Sequence, residues 1–205
     1  MNNEIEVVDA EADEAYQRFL YRCLAAPYRK YRTRREYLEA AVPKGFRKKI
    51  LFFNGEPVAQ IEYAHSEGSG YPIMGKSVIV MHCIWVLRRA KGHMFGKLLL
   101  REMMGGEPEA SGFSTIGLEN HWSPWLRRDH LEYLGFKSID SIRVAHKTKH
   151  MYEPFTMHLM WLPSRANAIP PTWNKKKLLE GVAFCLAHPL YHPQSYKPKE
   201  ILRKL

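Results

Sequence analysis

Cysteine is scarce in this chain, and its placement excludes a disulfide scaffold. There are three, Cys23, Cys83 and Cys185, an odd number, far apart and each in an apolar setting. They read as reduced core thiols rather than as the staples of a small secreted fold. Long apolar runs are also missing: no uncharged stretch reaches the roughly 18–20 residues that a membrane span needs. The first eleven residues carry four acidic side chains, so they do not read as a signal peptide. These absences point to a cytoplasmic protein. Internal repeats, low-complexity tracts and a linker long enough to separate a pair of domains are absent too. Acidic residues are outnumbered, 21 against 31 basic ones, for a net charge of +10 with histidines neutral. A surface of that sign attracts anions, whether a phosphorylated cofactor, an acidic protein or nucleic acid, without choosing among them. The 205 residues, 45% hydrophobic and 12% aromatic, can bury one sizeable core.

What is present centres on the stretch from Met81 to Met104, MHCIWVLRRAKGHMFGKLLLREMM. Val78 through Leu87 is an apolar, β-branched run interrupted only by His82 and Cys83, the composition of a buried strand. Arg88 and Arg89 follow, then Ala90-Lys91-Gly92, and then Phe95, Leu98, Leu99, Glu102 and Met103 at three- and four-residue steps. A strand passing through a short basic turn into a helix makes an anion site: the first helical N–H groups are free and sit at the positive end of the helix dipole. Arg88, Arg89 and Lys91 add charge, and Gly92 lets a ligand approach the backbone.

Elsewhere the chain is punctuated clearly. Asp9 is suited to cap a helix over about Ala10 to Ala26, ended by Pro27. Thr33-Arg34-Arg35-Glu36 is a capping-box pattern for a second short helix that stops before Pro43. Between them, Tyr28-Arg29-Lys30-Tyr31-Arg32 interleaves cations and rings, which suits a solvated helix face or single-stranded nucleic acid. Lys48 to Phe53, Asn54-Gly55 and Val58 to Ala64 read as a β-hairpin with a type I′ turn, and His65 to Gly75 as a loop. After Gly105-Gly106-Glu107-Pro108, Phe113 to Asn120 reads as a strand. A helix follows near Ser123 and Pro124 and closes at Leu134-Gly135-Phe136. Ser138 to Lys147 and Pro154 to Leu162 form a last strand pair around a basic loop to Tyr152. A helix is expected over about Lys175 to Leu186. Cys185, His188 and His192 have the spacing of three metal ligands but lack a fourth, so no metal is expected. The tail is expected to pack Leu178, Val182, Phe184 and Leu190 on the main domain, with a second subunit as its other conceivable partner.

The central stretch resembles the coenzyme-A-binding core of the GNAT superfamily of N-acetyltransferases, whose fingerprint is Arg/Gln-x-x-Gly-x-Gly/Ala. Arg89-Ala90-Lys91-Gly92-His93-Met94 fits the first four positions. The sixth is Met94 instead of Gly or Ala, Gly96 falls two residues on, and the turn is about two residues shorter than usual. The wording of the strand is similar to that of the YoaP-like branch. The strand, helix and Gly-Phe ending from Phe113 to Phe136 resemble the superfamily's second diagnostic segment, so the likeness covers Val78 to Ile142. It implies an α+β fold with a twisted mixed sheet, helices on both faces and a C-terminal helical extension: a GNAT-like domain over 1–163, with 164–205 packed on it. It also implies acetyl-CoA as cosubstrate, held by Val86 and Leu87 and by the turn Arg89, Ala90, Lys91, Gly92, His93, Met94 and Phe95. The acceptor amine would attack the thioester directly, with no cysteine nucleophile.

The same resemblance directs the search for acid and base. A Tyr four residues before the glycine often protonates the departing thiolate; that position is Leu131, and Tyr133 is the nearest phenol. A base must take the ammonium proton. Glu119, at the end of the strand where the superfamily's sheet splays, is the first candidate and Glu62 the second, followed by His82, with His121 beside them. Trp122 and Trp125 suit either the core or the wall of an acceptor pocket. The segment joining the first two helices borders the acceptor groove in the superfamily. The competing function is a GNAT-shaped RNA-binding module or pseudoenzyme, favoured by that basic segment, by Met94 and by Leu131.

Overall fold

The computed structural model describes residues 4–12, 14–25, 32–147, 153–193 and 199–205. In chain order the elements are β1 (Ile5–Asp9), α1 (Glu14–Leu20), α2 (Arg32–Ala41), β2 (Arg47–Phe53), β3 (Glu56–His65), β4 (Ile73–Met74), β5 (Val78–Val86), α3 (Phe95–Gly105), β6 (Gly112–Glu119), α4 (Arg128–Tyr133), β7 (Lys137–His146), β8 (Pro154–Pro163), β9 (Thr172–Trp173), α5 (Lys175–Leu178) and β10 (Leu202–Lys204). Among the described residues, eight strands form one sheet in the order β1-β2-β3-β5-β6-β8-β7-β10. β5 and β6 pair in parallel, and the other neighbours pair antiparallel. No helix among the described residues is long and apolar enough to cross a membrane.

Alternation along the strands sends side chains to two faces. One carries Leu51, Ile61, Met81 and Phe113 and receives α3 and α4 through Phe95, Leu99, Met103 and Leu131. The other face is covered by two groups of elements. Over β2 and β3 lie α1 and α2, with Leu20 and Leu38 against Ile50 and Phe52. Over β5, β6, β8 and β7 lies the C-terminal segment, with Trp173, Leu178, Phe184 and Leu190 against Val80, Ile116 and Met157.

Local chemistry explains the hairpin between β2 and β3. Asn54 and Gly55 both have positive φ, 51° and 76°, as a type I′ turn requires. The Asn54 side chain also accepts the Glu4 N–H at 3.0 Å, which helps seat β1 on the hairpin. That edge strand takes up Asp9, which pairs with Lys49 across the ladder and by a 2.6 Å ion pair. The first helix therefore starts at Glu14, later than the expected Ala10. The expected helix over Lys175–Leu186 is cut to Lys175–Leu178. Gly181 there has φ +79°, and a Cβ on it would lie 2.6 Å from the Leu190 carbonyl. The chain turns back at that point: Val182 donates to Leu190, and the Leu179 carbonyl accepts from Ile201 and Leu202, bringing β10 to the sheet.

Candidate active site

A cleft begins where two parallel strands diverge. β5 and β6 pair only at Val78–Gly112, Ile79–Phe113 and Val80–Ser114. β5 then stays with β3 as far as Val86, and β6 stays with β8 as far as Glu119. Their facing edges separate, and Thr115 Oγ1 donates to the Met81 carbonyl at 2.7 Å near the apex of the gap.

The segment after β6 shapes the opening. Leu126 has φ +51°, and its carbonyl accepts the Leu118 N–H at 2.8 Å. This hook delays the helix expected near Pro124 until Arg128. It also places Trp125 on Trp85, with ring centroids 5.0 Å apart. The cleft is a cavity of about 390 Å³, lined by Ile84, Trp85 and Val86 of β5, by Arg88 and Lys91, by Gly96, and by Pro124 through Arg127 with His130, Leu131 and Leu134.

The turn at its mouth is built for an anion. Gly92 has φ +91°, and Met94, the residue before α3, has φ +57°. Two positive-φ residues two positions apart bend the backbone tightly ahead of the helix N-terminus, where the first amides are free. Among the described residues, the N–H groups of Gly92, His93, Met94, Phe95 and Gly96 have no acceptor, while Lys97 and Leu98 donate to Met94. A Cβ on Gly96 would meet only Ile84 Cδ1, at 3.9 Å, and one on Gly92 would meet nothing. Space is left for a ligand at both. Met94, in the place of the fingerprint's small residue, is 61% exposed, so its side chain is not packed into the turn.

The residues expected to hold the cofactor fall into separate roles. Val86 and Lys91 line the cleft. Ala90 and Phe95 are buried beneath the turn, and the Leu87 N–H is taken by the Val58 carbonyl. His93 stacks on Phe95 at 5.1 Å and meets Phe53 in a tilted contact at 4.9 Å. Arg89 is exposed and paired with Glu56 at 3.3 Å, whereas Arg88 lines the cavity. Arg127, His130 and Leu134 are not among the expected site residues. Their spacing of three and four around the buried Leu131 marks one helical face, the signal by which they could have been found.

The acid and base candidates are not gathered in one place. Glu119 accepts from Arg128 at 2.8 Å and lies 3.3 Å from His158 Nε2, whose Nδ1 meets Ser138 at 2.8 Å. Burial holds His158 below the ordinary histidine range, with the Glu119 contact pulling the other way. Glu119 borders a second cavity of about 520 Å³, which shares Pro124 and Arg127 with the cleft. Tyr133 is 66% exposed, has Lys97 Nζ 4.1 Å from its ring centre, and lines neither cavity.

Glu62 is buried between Arg34 and Lys48, at 2.6 and 2.8 Å. Burial alone would raise its pKa, but those two charges hold it at about 2. His82 is buried; its Nε2 accepts from Gly70 at 3.0 Å, and burial lowers its pKa to about 4. His121 accepts from Ser123 at 3.1 Å and faces His146 at 3.0 Å. Trp122 is exposed and lines the second cavity. His188 bonds Tyr71 at 2.6 Å, and among the described residues no group of three could hold a metal ion. Tyr28 through Tyr31 lie outside the described residues.

No family model matches the sequence, and no curated protein matches it. Solved structures do match its fold. A GNAT-family protein from Desulfovibrio desulfuricans is 11% identical with a TM-score of 0.56, covering 78% of this chain and 99% of that one. The ribosomal-protein-S18-alanine N-acetyltransferase of Escherichia coli is 14% identical with a TM-score of 0.52, covering 82% and 99%. Arabidopsis thaliana Naa50, solved with the bisubstrate analogue CoA-Ac-MVNAL, is 15% identical with a TM-score of 0.50, covering 79% and 99%. The chain has the GNAT fold.

Proposed function

We propose that this GNAT-fold chain transfers an acetyl group from acetyl-CoA to a primary amine. The observation that carries the reading is the junction of two features. An apolar opening between diverging parallel strands runs directly into five consecutive N–H groups without acceptors among the described residues. The opening suits the pantetheine arm, and the turn, with Arg88 and Lys91 beside it, suits the pyrophosphate.

In this reading the amine attacks the thioester carbonyl within the cleft, and the coenzyme A thiolate leaves. Stacked Trp85 and Trp125 narrow the site and limit water there. Glu119 is assigned as the base that takes the ammonium proton through water from the cavity adjoining at Pro124 and Arg127. Among the side chains lining the cleft, His130 supplies the imidazole, the group best suited to proton transfer near neutral pH, and it is assigned to protonate the thiolate. Tyr133 would reach the cleft only by leaving Lys97, and Glu62 only by leaving two buried cations. Acceptors of the kind named for the neighbours, a protein alanine and a peptide, enter first in a substrate screen.

The test is thiol release from acetyl-CoA in the presence of a panel of peptides and small amines. Amine-dependent release, with the acetylated amine found by mass spectrometry, is the expected result. Release equal to the no-acceptor rate across peptides, polyamines and aminoglycosides would overturn the reading.

A further inference from the structure

A polar row crosses three strands on the sheet face that receives α3 and α4. His158 of β8 lies opposite Gly117 of β6, Ser138 of β7 lies opposite Met160, and Glu119 stands two residues beyond Gly117. Residues paired across antiparallel strands, and residues two apart along one strand, share a face. Ser138, His158 and Glu119 are therefore diagonal neighbours, and their side chains join end to end. Ser138 Oγ meets His158 Nδ1 at 2.8 Å, and His158 Nε2 meets Glu119 Oε2 at 3.3 Å. The other carboxylate oxygen, Oε1, accepts from Arg128 Nη1 at 2.8 Å, and Arg128 Nε donates to Glu132 at 2.8 Å. Packing gives no reason for an imidazole here, since Met160 and Leu131 on this face belong to an apolar cluster. The His158 side chain is 7% exposed, whereas the Glu119 side chain is 39% exposed at the rim of the second cavity. A buried anchor thus holds a group that reaches solvent.

We propose that His158, oriented by Ser138, is the positioning residue of Glu119: with Arg128 on the other oxygen, it fixes the carboxylate at the rim of the second cavity. This rests on the assignment of Glu119 as the base. The direction of the row follows from the chemistry of its ends. An ionised carboxylate only accepts hydrogen bonds, and a neutral imidazole has one N–H and one lone pair. Burial keeps the His158 ring neutral, so its proton is on Nε2, facing Glu119, and Nδ1 accepts from the Ser138 hydroxyl. Two N–H donors from different elements, one on β8 and one on α4, then hold the two oxygens of one carboxylate. A base must lie within hydrogen-bond reach of the proton it takes, directly or through one water. A displacement of about 1 Å at such a group can cost about a hundredfold in rate. His158 lines neither cavity, so its effect on transfer passes through Glu119.

The test measures kcat and KM with acetyl-CoA and an amine from the acceptor panel, in variants shown by their melting curves to be folded. His158→Leu should lower kcat about tenfold to a hundredfold while KM for acetyl-CoA stays within about twofold. His158→Gln, whose amide nitrogen can take the place of Nε2, should recover most of that loss. Ser138→Ala leaves the imidazole in place but frees it to turn, and should lower kcat by a smaller factor, about threefold to tenfold. In a Glu119→Gln background His158→Leu should add nothing, whereas a merely structural role would add its full loss. Wild-type kcat in His158→Leu, equal losses in the Leu and Gln variants, or additive losses in the double variant would each overturn the proposal. If His158→Leu does not fold, wild-type kcat in Ser138→Ala overturns it instead. Wild-type turnover in Glu119→Gln would remove the base, and this proposal with it, while leaving acetyl transfer standing. The absence of amine-dependent thiol release from the unaltered chain would overturn the transfer reading itself, and this proposal with it.

Discussion

At the scale of single residues, Glu62 and Tyr133 separate structural from chemical roles. Glu62→Gln keeps the shape but leaves Arg34 and Lys48 buried without a carboxylate. Removing one partner of a buried ion cluster costs about 3–5 kcal/mol, expected as a lowered midpoint in urea unfolding. A loss under about 1 kcal/mol would show the cations to be balanced by other groups. Tyr133→Phe should change turnover by about twofold or less, since the ring is outside the cleft. His130→Gln should lower turnover on the order of a hundredfold if it supplies the thiolate's proton; equal, small effects would remove both residues from the chemistry. The sequence points to Tyr133 because it holds the nearest phenol to Leu131. The spacing of Arg127, His130 and Leu134 around Leu131 marks one helical face in the sequence, but that this face walls the cleft is set by the docking of α4 on the sheet.

At the scale of elements, what is legible in the sequence is what local signals encode. Asn54-Gly55 marks its hairpin, Gly92 and the Phe95 periodicity mark the turn and α3, β5 follows from its apolar, β-branched run, and the strands after it from their apolar stretches between glycine or proline boundaries. β1 is hidden because an exposed edge strand of five residues, with Glu6 and Asp9 in it, has little apolar pattern. The C-terminal segment reads as a longer helix because its apolar spacing is real, but contacts far along the chain override it at Gly181. That segment is nevertheless built into the core. Phe184 packs against Tyr37, Tyr71 and His82 at ring distances of 5.0 to 5.5 Å. Phe184→Ala should therefore destabilise by about 3–5 kcal/mol, measured by chemical unfolding. A change below about 1 kcal/mol would mean that the tail is dispensable to the fold.

At the scale of the whole molecule, two buried histidines set the response to acid. Burial lowers His82 from 6.5 to about 4 and His188 from 6.5 to about 3. Below pH 6.5 the unfolded chain binds protons that the folded chain does not, so stability is full above that pH and falls as pH drops toward 4. The melting temperature should decline steadily over that window, and a flat profile from pH 7 to 4.5 would show these histidines to be solvated or charged in the fold. The net charge of +10 favours anion capture by the same molecule, and the cleft concentrates it at Arg88 and Lys91. Calorimetric titration with acetyl-CoA therefore tests the central claim most directly. Saturable one-to-one binding is predicted, weakened about tenfold to a hundredfold in the Arg88→Glu, Lys91→Glu double variant by loss of charge-assisted contacts. No heat and no shift in melting temperature with either acetyl-CoA or free coenzyme A, in a protein shown to be folded, would contradict it.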